Sequence, residues 1–220
     1  MPTIGATQFL TASRPAPLSM KGLIYRMRRM KIGVMGAKGS FSEEAGRAYA
    51  HKTGLKKFTL DYLVTAENVL TSLEEGKIDL GIFPIENSNG GIVLEAVYAM
   101  AKHNFSIKKL FEIDVHHCLL VKKGVTADKI KTITSHDQAI KQCRMYLKRV
   151  WPNVKIKEYS DTAKAAEDLA KGKLPASTAV IASRAAAQVY KLDILEESIQ
   201  DLKFNYTNFV AAEKLDNRLE

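Results

Sequence analysis

The stretch SIKKLFEIDVHHCLLVKKG, residues 106–124, decides the fold, because it is strand-like at the point where the chain would otherwise alternate strand with helix. On its N-terminal side KIGVMG (31–36) precedes the helical run SFSEEAGRAYAHKTG (40–54), FTLDYL (58–63) precedes AENVLTSLEEG (66–76), and IDLGIFPIE (78–86) precedes IVLEAVYAMAKH (92–103). Beyond it the alternation restarts: IKTITS (130–135) before HDQAIKQCRMYLKRV (136–150), VKIKEYS (154–160) before TAKAAEDLAKG (162–172), and TAVIAS (178–183) before RAAAQVYKL (184–192). Short apolar runs followed by helices predict an α/β protein with mostly parallel pairing. Two such units joined by long strands predict two lobes with a cleft between them, lobe 1 from residues 31–115 plus 201–220 and lobe 2 from 116–200.

Composition narrows the function classes. With 46% of 220 residues hydrophobic, the chain can bury a full core. No apolar run reaches the roughly 18 residues needed to span a bilayer, so a cytoplasmic protein without a membrane partner is expected. Cys118 and Cys143 sit in apolar surroundings and read as core thiols. The net charge of +9 is unevenly placed: residues 1–30 carry five basic residues and no acid, which leaves +4 for the rest. No predicted helix bears a sustained Lys/Arg stripe, so nucleic acid is not an expected partner. Residues 1–30 read as a basic tail outside the core. Their Ser, Thr, Pro and Arg content also fits a transit peptide, which keeps organellar import as the alternative location.

Several helix starts carry capping chemistry. Ser40 with Glu43, and Ser135 with Gln138, fit the capping box, while Asp161 and Ser183 fit single N-caps. If these N-termini converge on one cleft, their free N–H groups and dipole ends offer a site to an anion. The turn GAKGSFS lacks both the dinucleotide fingerprint and the P-loop spacing, so nucleotide binding is disfavoured. The turn after the third strand, PIENSNGG, lies where open α/β sheets bind ligands. His116 and His117, adjacent on a strand, would point to opposite faces, and neither they nor His136 belong to a ligand-spaced cluster, so no metal is expected.

Taken together, GAKGSFSEEA, PIENSNGGIV, HCLLV, SHDQAIKQC, DTAKAAEDLA, AVIAS, YKLDIL and NYTNF stand in the order found in the catalytic domain of prephenate dehydratases, a resemblance that covers about residues 31–212. It implies a two-lobed, periplasmic-binding-protein-like (type II) fold with the active site in the cleft. The implied reaction is the loss of carbon dioxide and the ring hydroxyl from prephenate to give phenylpyruvate on the route to phenylalanine, a carbon–oxygen lyase activity with no cofactor. By the same resemblance Thr207 is the proton donor, Asn87, Gln142 and Ser135 are its catalytic companions, and Ser40, Phe41, Ser88, Asn208 and Phe209 contact the substrate. His117 matches the family's histidine before the Leu-Leu strand. A threonine hydroxyl is a poor acid, so Thr207 is expected to act by a positioned hydrogen bond to the leaving oxygen. The implied partner is a dianionic small molecule, with a homodimer as the expected assembly.

Three departures bear on that reading. The family's Thr-Arg-Phe is here Thr207-Asn208-Phe209, the Pro of its Ser-His-Pro-Gln is Asp137, and the Asp in the helix after the Asn-Ser turn is Tyr98. An amide cannot replace the charge of an arginine, so Asn208 is expected to weaken substrate binding unless Lys38, Lys203 or Arg184 substitutes. The chain also ends soon after NYTNF, and no ACT regulatory domain is expected. The alternatives left open are a non-catalytic small-anion-binding protein on the same fold and a lyase that decarboxylates prephenate while keeping its hydroxyl.

Overall fold

The computed structural model describes residues 29–215. The expected tail therefore lies outside the described residues except for its last two. Of these, Met30 is not tail: it opens the first strand, donates its N–H to the Lys57 carbonyl and is buried with Ile32 and Val34.

Strands β1 (Met30–Val34), β2 (Phe58–Tyr62) and β3 (Leu80–Asn87) pair in parallel through helices α1 (Phe41–Lys52) and α2 (Ala66–Glu74). A short β4 (Gly91–Ile92) folds back on β3, and α3 (Leu94–Met100) follows it. The chain then crosses along β5 (Phe105–Asp114) into a second sheet, which holds β6 (Cys118–Val121), β7 (Thr132–Ser135), β8 (Lys155–Glu158), β9 (Thr178–Ala182) and β10 (Asp193–Glu196). Helices α4 (Asp137–Gln142), α5 (Arg144–Val150), α6 (Thr162–Ala170) and α7 (Arg184–Tyr190) connect and cover those strands. Finally β11 (Tyr206–Lys214) returns to the first sheet. The sheet orders are β2-β1-β3-β11-β5 and β10-β6-β9-β7-β8, the two-lobed, periplasmic-binding-protein-like arrangement that the sequence predicts.

Pairing is less parallel than expected. β11 runs antiparallel to both β3 and β5, and β6 runs antiparallel to both β9 and β10. The physical reason is the crossing itself. A strand that arrives from the other lobe needs no covering helix to reverse it, so it slots in antiparallel.

Both faces of the inner strands β1, β3 and β11 are covered, which is why they read as apolar runs. On the α1 face Ile32, Val34, Tyr49, Leu80, Ile82 and Phe209 form one cluster; on the α2 and α3 face Val69, Leu70, Leu73, Phe83, Ala96 and Val210 form another. Phe209 and Val210 thus belong to opposite layers, as period-two alternation requires. Truncating either fully buried Phe83 or Phe209 to alanine would cost roughly 3–5 kcal/mol. The cysteines are buried and unpaired.

Two further features position the cleft. The long helix expected over 136–150 is two helices, broken at Cys143, because the distant Asp201 carboxylate accepts the N–H groups of Met145 (2.7 Å) and Tyr146 (2.8 Å). The break leaves Gln142 at the end of α4. Elsewhere the lobes are clasped: Ser183 Oγ donates to the Gly39 carbonyl (2.7 Å), Tyr190 O–H to the Lys38 carbonyl (2.9 Å) and Ala185 N–H to Glu44 (3.1 Å). Gly39 has φ +82°, and a Cβ there would lie 3.0 Å from the Ala186 Cα, so glycine serves both the turn and the close approach. Burial raises the Glu44 pKa, against the opposing pull of the Ala185 N–H.

Candidate active site

The register of β11 against β3 sets Thr207 opposite Asn87 and Asn208 opposite Glu86. Because side chains alternate along a strand, the two pairs occupy opposite faces. Thr207 and Asn87 meet on the cleft face, where Asn87 Nδ2 lies 2.8 Å from Thr207 Oγ1, 2.9 Å from Asn205 Oδ1 and 3.1 Å from the Tyr206 carbonyl.

The orientation of the Asn87 amide follows from its other side. Its Oδ1 accepts the backbone N–H groups of Asn89 (3.0 Å) and Gly90 (2.8 Å), which are obligate donors, so Nδ2 is the group turned to Thr207. From the other lobe, Gln142 Nε2 donates to Asn87 Oδ1 (3.1 Å). Gln142 Oε1 then accepts from Asn205 Nδ2 (3.0 Å) and from His117 Nε2 (2.6 Å). Thr207 Oγ1 therefore accepts a hydrogen bond from an amide, and among the described residues its own O–H has no acceptor. That is the property a donor to a leaving group needs.

These side chains border a hollow of about 220 Å³ lined by Phe41, Ser42, Pro84, Asn87, Thr207 and Phe209 from one lobe and by His117, His136, Gln138, Gln142 and Thr162 from the other. A contiguous hollow of about 400 Å³ shares Phe41, Ser42, Pro84, His136 and Thr162 and adds Ser40, Glu95 and Asp161. The second lies within the ~300–1,000 Å³ usual for small-ligand sites, and the first is a smaller extension of it. The N-termini of α1 and α6 converge here, which the capping residues by themselves left open. By helix geometry their first-turn amides, including those of Phe41, Ser42 and Thr162, have no intrahelical acceptor, and Ser40 and Asp161 cap the Glu43 and Lys164 amides just behind them. Glu43 itself bonds Gly39 N–H and Arg47. Burial alone would raise its pKa, but those two partners outweigh it and hold the carboxyl below its usual range.

Several expected contacts are not made. Ser135 is fully buried and donates its proton to the Ile181 carbonyl (2.6 Å), away from the hollow; the N-cap of α4 is His136, one residue later. Ser88 is exposed and ties the Asn-Ser turn to β11, accepting the Tyr206 N–H at 3.0 Å. Asn208 turns away from the cleft and donates to Glu86 (3.4 Å) across the strand pair, so it is not placed to hold a substrate carboxylate. Among the residues lining the two hollows there is no Lys or Arg; Lys38 and Lys203 are exposed outside them and Arg184 pairs with Glu197. Tyr98 is exposed on α3 and also lines neither.

Other residues enter unannounced. Asn205, fully buried at the start of NYTNF, joins Asn87, Asn89 and Gln142, and its position inside the quoted motif was the available signal. Ser42, His136 and Gln138 line the hollow from helix starts next to expected residues. No group of His, Cys, Asp and Glu able to hold a metal ion occurs among the described residues, and no helix there is long and apolar enough to cross a membrane.

Comparison with known proteins bears on the family and the fold. The family model for prephenate dehydratase matches residues 32–217. The chain is 33% identical over 94% of its length to arogenate dehydratase 5 of Arabidopsis thaliana, covering 46% of that protein. It is 32% identical over 82% of its length to the bifunctional chorismate mutase/prephenate dehydratase of Escherichia coli K12, again covering 46%. It thus spans about half the length of the curated relatives it matches. Among solved structures, a prephenate dehydratase from Arthrobacter aurescens in complex with L-Phe superimposes with a TM-score of 0.76 at 26% identity, covering 84% of this chain and 61% of that one.

Proposed function

The chain belongs to the prephenate dehydratase family, and we propose that it converts prephenate to phenylpyruvate, carbon dioxide and water. The observation that carries this reading is the Thr207 hydroxyl, which accepts from Asn87 and lines the hollow with its own proton uncommitted.

In the reaction the ring carboxylate leaves as carbon dioxide. Its electron pair enters the ring as the carbon–oxygen bond across the ring breaks, and the departing hydroxide takes up one proton to become water. Aromatisation drives the step, so the protein has to orient the dianion and ease the loss of hydroxide. Thr207 donates to the departing oxygen while the Asn87 amide stabilises charge that builds on Oγ1. Solvent supplies the net proton. Asn205 and Gln142 hold Asn87 in register. With no lining cation, carboxylate recognition falls to the N-termini of α1 and α6, at Ser40, Phe41, Ser42 and Thr162. Phe41 and Phe209 wall the ring.

The two sheets would then correspond to the lobes 31–115 plus 201–220 and 116–200, and homodimeric assembly and a cytoplasmic location remain part of the proposal. The binding-protein alternative drew on Asn208 and Tyr98, and neither lines the hollow. Purified protein incubated with prephenate should yield phenylpyruvate; a parallel assay with arogenate, the amino counterpart, separates the two substrates. Absence of product from both would sink the enzyme reading.

A further inference from the structure

His117 is 3% exposed, lines the hollow that holds Thr207, and carries the buried side-chain atom Nδ1 with no hydrogen-bond partner among the described residues. Buried polar atoms are nearly always paired, and an exception calls for a cause. Its neighbour shows the contrast: the exposed His116 has Ser198, Gln200 and Asp114 within reach.

The amide network fixes which nitrogen of His117 bears the proton. Two backbone N–H groups set the Asn87 oxygen, that oxygen sets the Gln142 amide, and the Gln142 oxygen faces His117 Nε2 at 2.6 Å. Nε2 is therefore the N–H, and Nδ1 is a bare lone pair. Burial lowers the pKa of the ring, against the Gln142 contact, and keeps the imidazole neutral. Around it stand Phe41, edge-to-face at 5.3 Å, and the buried Val115 and Ala139. In such surroundings a charged ammonium would lose more hydration than one lone pair returns, whereas a neutral O–H matches it.

Resting on the dehydratase reading, we infer that His117 Nδ1 accepts a hydrogen bond from the substrate hydroxyl that is lost, so that this hydroxyl is held between a donor, Thr207, and an acceptor, His117. The pair turns a hydroxyl lone pair toward Thr207 and fixes which end of the ring lies deep in the hollow. No proton moves to His117. Phe41, only half-buried, is the side chain that the substrate displaces to reach it.

The test combines kinetics with histidine ¹⁵N NMR. His117→Gln keeps a nitrogen donor near Gln142 and deletes the second lone pair; kcat/KM on prephenate should fall roughly 10-fold, the scale of one buried hydrogen bond, with the melting temperature retained. In the spectrum of the Thr207→Ala protein, where turnover is slowed and prephenate can be kept in excess, the Nδ1 resonance should be that of an unprotonated nitrogen. It should move on adding prephenate and stay in place on adding phenylpyruvate, which lacks the hydroxyl. A protonated Nδ1, an unmoved resonance with prephenate, or a His117→Gln enzyme within twofold of the parent overturns the inference. A natural protein with no turnover defeats the dehydratase reading instead, and the same titration on that protein still decides whether His117 meets the hydroxyl.

Discussion

The ends of β7 and β11 present the same problem with opposite solutions. Each offers a hydroxyl followed by a polar residue, Ser135-His136 and Thr207-Asn208, and in each pair one member lines the hollow. At β7 it is the second, His136; at β11 it is the first, Thr207. The two hydroxyls also differ in the direction of their bonds. Ser135 gives its proton to the Ile181 carbonyl and has nothing left to donate, whereas Thr207 accepts from Asn87 and retains its own. A hydroxyl's chemistry here is set by which partner it faces.

Thr207→Ala should test the contrast most severely: turnover should drop roughly 100-fold with little change in stability, and Thr207→Ser should recover much of it. Asn87→Asp would make Thr207 resemble Ser135, because a carboxylate oxygen in place of Nδ2 would draw the threonine proton back into the protein. Turnover should fall roughly 10-fold or more, measurable under saturating prephenate. Ser135→Ala should act on the fold instead. It removes a buried hydrogen bond to the Ile181 carbonyl, so chemical denaturation should show a loss of about 1–2 kcal/mol while turnover per folded molecule stays within about twofold. The smallest effect is expected at Asn208→Arg: an exposed pair with Glu86 should add at most about 1 kcal/mol and leave turnover unchanged. A large gain in activity there would mean that position 208 reaches the substrate after all.

Much of the architecture was legible because each βα unit announces itself locally, with a buried apolar run, a capping residue and an amphipathic helix. Ser40, Asp161 and Ser183 cap where their spacing says they should. What local pattern could not carry came from distant segments. The break at Cys143 depends on Asp201, and the antiparallel seat of β11 depends on strands more than a hundred residues earlier, as in the pairing of Thr207 with Asn87. The site divides in the same way. Thr207, Asn87, Gln142, Phe41 and Phe209 were visible through resemblance, but the faces of Ser135, Ser88 and Asn208 depend on strand register, which a motif written in one line does not record.

β11 lies between β3 and β5 in the first sheet, yet it is the last strand among the described residues. As the polypeptide emerges from a ribosome, residues 118–196 can close the second sheet from contiguous sequence, while the first must wait with its middle position unfilled. Until residues 206–214 arrive, the facing edges of β3 and β5 expose unpaired backbone. Such edges recruit foreign strands. The protein should therefore be most prone to aggregation late in synthesis, and a nascent chain halted before NYTNF should hold one folded lobe and no cleft between lobes.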